Sequence, residues 1–165
     1  FVERRDNQRV FVASWTEDDI DDIFELRAML EGFAAGRAAE HITQGQLIQL
    51  RHHHEAIVKG VGANGLIDSD DFLENNRAFH RLIWDAARSA RLAAMLQRLV
   101  EQPVVMRTLV TYGAKDLARS ISQHDEILDA LSHGDRAWAN AAMTSHILHA
   151  QRVYHSAAAE QVAAQ

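Results

Sequence analysis

At 165 residues, 47% hydrophobic and with a net charge of −6, the chain has the size and apolar content of one globular domain, not of a disordered segment. The acid excess excludes the whole chain as a nucleic-acid platform, which needs clustered Lys and Arg. The absence of cysteine excludes disulfides, thiolate zinc sites and a Cys nucleophile.

Residues 1–13, FVERRDNQRVFVA, differ from the rest of the chain. Two β-prone pieces, Phe1-Val2 and Val10-Phe11-Val12, flank a polar Asp6-Asn7-Gln8 turn, which predicts a β-hairpin. Arg4, Arg5 and Arg9 against Glu3 and Asp6 make this end locally basic. Beyond it, one proline and abundant Ala, Leu, Arg, Glu and Gln predict helix almost throughout.

Thr16 as N-cap with Asp19 at N3 opens a first helix through Ile23, Leu26, Leu30 and Phe33 to about Ile42. Gly32 and Gly36 inside it predict a bend or a close helix–helix contact. Thr43-x-x-Gln46 has the form of a capping box and starts a second helix over roughly 44–59. A loop follows at Gly60–Gly65. Asp68 or Ser69 then caps a third helix to about Ala87, and Ser89 caps a fourth to about Tyr112, kinked at Pro103. Gly113 ends it. A fifth helix runs from about Lys115 to His133, Gly134 takes the C′ position, and Asp135 caps a sixth to about Ala159, with the Ala-rich tail after His155 expected to fray. The fold class is therefore all-α: an antiparallel bundle of about six helices preceded by a short hairpin. Charges or His interrupt every apolar stretch before the ~18 residues of a membrane span. The opening lacks the apolar core of a secretory signal, so a cytoplasmic location and no membrane partner are expected.

Chemistry concentrates in four residues. On the third helix Phe72, Asn76, Phe79, His80, Ile83 and Ala87 share one stripe, so Asn76 and His80 stand one turn apart on an inward face. On the fifth, His124 shares a stripe with Ile127, Leu128 and Leu131. On the sixth, His146 lies with Ala139, Ala142, Met143, Ala150 and Val153. A single His on an apolar face is ordinarily a satisfied core residue, but three aimed into one bundle would each pay for desolvation. A shared divalent metal (zinc, nickel, iron or manganese) or a polar ligand cavity relieves that cost. His52-His53-His54 point around the second helix and read as a solvated face; His149 and His155 read as rim, Trp84 and Trp138 as core.

Three segments carry a resemblance: DIDDIFELRAMLEGFAAGRAAEHI, NNRAFHRLIWDAARSARL and QHDEILDALSHGDRAWANAAMTSH. In order and spacing they resemble the C-terminal ligand-binding (FCD) domain of the FadR/VanR branch of GntR transcription regulators, over about residues 16–150. The opening FVERRDNQRVFVA is similar to the strand–wing–strand that ends the family's winged helix-turn-helix, with Asp6-Asn7-Gln8-Arg9 in place of the wing glycines. The resemblance divides the chain into a wing and linker remnant over 1–13 and a helical effector-binding domain over 14–165. It implies a metal site at Asn76, where the family carries Asp, with His80, His124 and His146. It also implies a small carboxylate effector, a homodimer, and operator DNA bound through a winged helix-turn-helix mostly outside this chain.

Arg27 corresponds to an Arg that reaches the pocket in some relatives, where its guanidinium could fork onto a carboxylate; a buried ion pair with Glu31 is the equal alternative. Arg107 on the fourth helix is a second ligand-binding candidate. The function expected is a non-enzymatic sensor. The alternative is a metal-dependent helical-bundle enzyme, a hydrolase or oxygenase, because three His with open positions can also activate water.

Overall fold

The computed structural model describes residues 2–5, 9–12, 16–67, 70–100 and 111–163. Strands β1 (Val2–Arg5) and β2 (Arg9–Val12) pair antiparallel, with Val2 opposite Val12 and Arg5 opposite Arg9. This is the hairpin expected at that end. Among the described residues six helices follow: α1 (Glu17–His41), α2 (Gln44–Lys59), α3 (Asp70–Ala86), α4 (Ala90–Val100), α5 (Ala114–Ser132) and α6 (Arg136–Ala163).

Local chemistry sets the helix ends. Thr16 Oγ1 accepts from Asp19 N at 3.1 Å while the Asp19 carboxylate accepts from Thr16 N at 3.0 Å, closing a capping box at α1. Thr43 and Gln46 repeat it at α2. Ser89 Oγ accepts from Leu92 N at α4, and Asp135 Oδ1 from Trp138 N at α6. Gly134 takes a φ of 67°, the left-handed turn that ends α5 without a Cβ penalty.

Two expectations need adjustment. Helix four does not continue to Tyr112, since Thr111–Gly113 are not helical; Pro103 and Arg107 lie outside the described residues, as do the caps Asp68 and Ser69. The tail of α6 stays helical to Ala163, as an Ala-rich segment can. It is also tied back to α1, because Gln151 Nε2 and His155 Nε2 each lie 2.7 Å from Asp21 Oδ1. α1 leaves Leu26 and Phe33 41% and 44% exposed. It buries Ile20, Ile23, Phe24, Arg27, Ala28, Glu31, Ala35 and Ala38 instead.

The reason is α6. It packs more extensively on α1 than any other pair of elements does, and small residues permit the approach. A Cβ built on Gly32 would overlap Thr144 Oγ1 and lie 3.2 Å from Asn140 O. α2 packs on α3 and α5, and α3 on α1, which encloses a core around Phe24, Phe79, Ile83, Leu117, Ile127, Leu131, Met143 and Ile147. Each such side chain contributes ~2 kcal/mol by leaving water. A smaller cluster of Ala34, Trp84, Ala87, Leu92 and Leu96 seats α4. α1, α3, α5 and α6 thus meet around one interior region, and the polar residues lie there.

Candidate metal and effector site

His80 (α3), His124 (α5) and His146 (α6) are 5%, 1% and 5% exposed. One ring nitrogen from each lies within 4.8 Å of those of the other two. The stripes expected from sequence hold them there: Phe79 and Ile83 beside His80, Ile127 and Leu131 beside His124, Met143 and Ala150 beside His146 are all buried. The His124 and His146 Nε2 atoms are 3.3 Å apart. Phe79 stacks on His124 with centroids 4.4 Å apart and planes 15° from parallel, which fixes that ring's plane. His80 and His146 also stack, at 5.2 Å.

Glu31 organises the cluster from α1. Fully buried, it accepts from His80 Nδ1 at 2.7 Å and Trp84 Nε1 at 3.3 Å on Oε2, and from Arg27 Nε at 2.9 Å on Oε1. Burial by itself would raise its carboxyl pKa, but the Arg27 charge and the His80 contacts outweigh that and hold it at about 2. A carboxylate only accepts, so His80 Nδ1 carries a proton toward Glu31. When neutral, this ring presents an Nε2 lone pair, the arrangement by which carboxylates orient metal-binding imidazoles.

Burial disfavours charge on His124 and His146. Burial pushes His124 well below the usual range, aided by His146 and His80. Burial likewise depresses His146, aided by His80 and opposed by Glu31. The Nδ1 atoms of both are buried without a hydrogen-bond partner among the described residues, as are His54 Nδ1 and Gln123 Oε1. Several neutral nitrogen donors facing one another with unmet polar atoms fit an ion or polar ligand better than a filled apolar core.

Of the remaining predicted residues, Asn76 is half-buried one turn before His80 on α3, and its amide makes no hydrogen bond to another described residue. Arg27 is buried in the ion pair with Glu31 and also lies over the Phe24 ring at 5.7 Å. Its two terminal nitrogens make no hydrogen bond among the described residues. Arg107 falls outside the described residues.

Two residues of this neighbourhood were hidden from sequence reasoning. The solvated face expected for His52-His53-His54 describes His52 alone. His53 is half-buried with Nδ1 2.8 Å from Asn75 Oδ1, and His54 is buried against Phe79 and His124. The signal was present: Leu50, His54 and Ile57 fall at i, i+4 and i+7, and all three are buried. His149, expected at the rim, is 5% exposed, with Nε2 3.3 Å from the Asp116 carbonyl. It follows His146 by three positions and so continues the same stripe.

The FCD domain family model matches residues 22–149. The HTH-type transcriptional regulator LutR of Bacillus subtilis is 27% identical over 144 residues, 83% of this chain and 63% of that protein. A probable D-xylose utilization operon transcriptional repressor of Paenarthrobacter nicotinovorans is 29% identical over 138 residues, 82% of this chain and 58% of that protein. The chain thus spans about three-fifths of the length of these curated relatives. Among solved structures, E. coli McbR/YncC superposes with a TM-score of 0.79 at 18% identity, over 94% of this chain and 73% of that one. Streptococcus agalactiae GntR superposes with a TM-score of 0.65 at 23% identity, over 92% and 74%. Family match and helical architecture agree: the chain belongs to the FCD domain family of GntR-type transcriptional regulators.

Proposed function

We propose that this domain is a non-enzymatic sensor in which His80, His124 and His146, with the Asn76 amide oxygen, hold a divalent metal, and a small carboxylate effector completes its coordination. The observation that carries this reading is the convergence of three buried imidazoles from three helices, with ring nitrogens within 4.8 Å. Nitrogens bound to one ion at ~2.1 Å stand about 3–4 Å apart. The 3.3 Å His124–His146 pair already meets that spacing, and small χ adjustments bring in His80. A neutral N3O donor set suits zinc, nickel, iron or manganese. When bound, the metal supplies Lewis-acid attraction for an anionic oxygen.

The protein's own groups do the rest. Glu31 holds His80 in the ligating tautomer. Arg27, committed to Glu31 through Nε alone, keeps its terminal nitrogens for an effector carboxylate. Arg107 is the second cation proposed for that role. Glu31 already takes three donors and Asp125 pairs with His54. Neither carboxylate is free to act as a general base, which favours a sensor over a hydrolase or oxygenase. Leu26, Met29 and Phe33, at i, i+3 and i+7 on α1, form an exposed apolar stripe suited to a homodimer. In the full-length cytoplasmic regulator, effector binding shifts the population of dimer arrangements presented to operator DNA, which a coupling of ~1–3 kcal/mol suffices to do.

Elemental analysis of the purified protein and of His124→Ala, followed by melting curves with a panel of carboxylic acids, tests the reading. Near-stoichiometric metal in the wild type and its loss in the variant are expected, with acid-induced stabilisation that disappears on chelation. Equal metal content in the two proteins overturns it.

A further inference from the structure

One more imidazole stands against the three-histidine set. His54 Nε2 lies 2.8 Å from Asp125 Oδ1, joining α2 to α5. The Asp125 carboxylate can only accept, so the His54 proton sits on Nε2, and on the neutral ring Nδ1 is left as an acceptor. That Nδ1 is buried and has no partner among the described residues. The His54 ring meets the His124 ring edge to face, with centroids 6.0 Å apart and planes at 64°.

His124 has the complementary need. Phe79 covers one face, Nε2 points to His146, and Nδ1 is buried without a partner among the described residues. If Nε2 ligates a metal, the proton of this neutral imidazole must reside on Nδ1, and a buried N–H needs an acceptor. A water making two ~2.8 Å hydrogen bonds spans about 4.5–5 Å, and the two ring centroids stand 6.0 Å apart.

We propose that His54, oriented by Asp125, is a positioning residue for the metal site: its Nδ1 accepts the His124 Nδ1–H through one buried water, fixing the His124 tautomer. Asp125, His54 and His124 then form a carboxylate–imidazole–imidazole chain, as Glu31 and His80 form a carboxylate–imidazole pair. This inference rests on the metal reading above, and the test separates the two.

Zinc and nickel affinities are measured by competition with a chromophoric chelator for the wild-type chain, His54→Leu, His54→Asn and Asp125→Ala, with helicity and melting of each metal-free protein as folding controls. Removing the acceptor in His54→Leu is expected to weaken affinity about 10–100-fold, whereas His54→Asn, whose Oδ1 replaces Nδ1, stays within about threefold of wild type. Asp125→Ala, at a side chain 63% exposed and so safe for folding, is expected to lose roughly 3–10-fold. Should His54→Leu fail to fold, Asp125→Ala decides, and wild-type affinity there overturns the proposal. Equal affinity in all variants overturns it, as does an Asn variant as weak as the Leu variant, since shape and not the acceptor would then matter. A wild-type chain that binds neither ion overturns the metal reading and this inference together; wild-type binding indifferent to positions 54 and 125 overturns only the inference.

Discussion

His124 and His146 stand 22 positions apart in sequence, yet their Nε2 atoms meet at 3.3 Å with both rings buried and neutral. Two imidazoles facing each other through lone-pair-bearing nitrogens can share at most one proton, and each Nδ1 has no partner among the described residues. The arrangement costs folding energy unless something enters it. Stability should therefore record the cluster's state.

The pH dependence follows from the depressed His pKa values. Both folded values lie below the ordinary 6.5, so below that pH the unfolded chain binds more protons than the native one. The stabilisation is complete above about pH 6.5 and is lost as pH falls toward the folded values, by at most ~1.4 kcal/mol per pH unit for each group. Glu31, held at about 2 against an ordinary 4.5, adds a second loss from about pH 4.5 downward. Chelator-treated protein melted from pH 8 to pH 4 should show a level Tm to about pH 6.5 and a steepening fall below it. A Tm independent of pH between 7 and 5 would contradict buried neutral histidines.

Glu31→Gln leaves the shape but removes the charge that Arg27 and His80 face. An uncompensated buried guanidinium is the result, and a loss of about 3–5 kcal/mol is expected. Urea unfolding measures it; a loss under ~1 kcal/mol would mean that Arg27 finds water or another acceptor.

Gly32→Ala places a methyl against Thr144 Oγ1 and Asn140 O. The α1–α6 contact should loosen by about 1–3 kcal/mol. Thr144→Ala removes the obstructing hydroxyl, which bonds Ala28 O at 3.3 Å, so the double variant should recover part of the loss. Strict additivity of the two single changes would show that the overlap is not the cause.

Met29 is 62% exposed at the centre of the α1 stripe between Leu26 and Phe33. Met29→Glu should leave the melting of each protomer little changed but turn a dimer into a monomer by sedimentation velocity. A dimer of undiminished affinity would place the interface elsewhere.

Much of this architecture is written in local chemistry. Thr16 with Asp19 and Thr43 with Gln46 announce two helix starts by residue type alone, and both close as capping boxes. His80, His124 and His146 were reachable because each interrupts an otherwise apolar stripe at helical spacing. What escaped did so for physical reasons. In His52-His53-His54 the run of identical residues masks the helical phase, so the one that turns inward is visible only through Leu50 and Ile57. The inward face of α1 is read badly from apolar residues because α6 needs small ones there, and Arg27 and Glu31 are buried as partners while Leu26 and Phe33 are not. The Arg27–Glu31 pair, four positions apart on one helix, was one of the two readings open for Arg27; that Glu31 also takes His80, 49 positions away, depends on tertiary placement that no local pattern encodes.

The proposed sensor requires three imidazoles on one ion. An X-ray absorption spectrum at the metal edge of the loaded wild-type protein tests it most directly. Scattering from three imidazole nitrogens at ~2.0–2.1 Å, with one or more oxygens completing the shell, is expected, falling to two imidazoles in His146→Ala. A first shell of oxygens alone, without imidazole scattering, would contradict it.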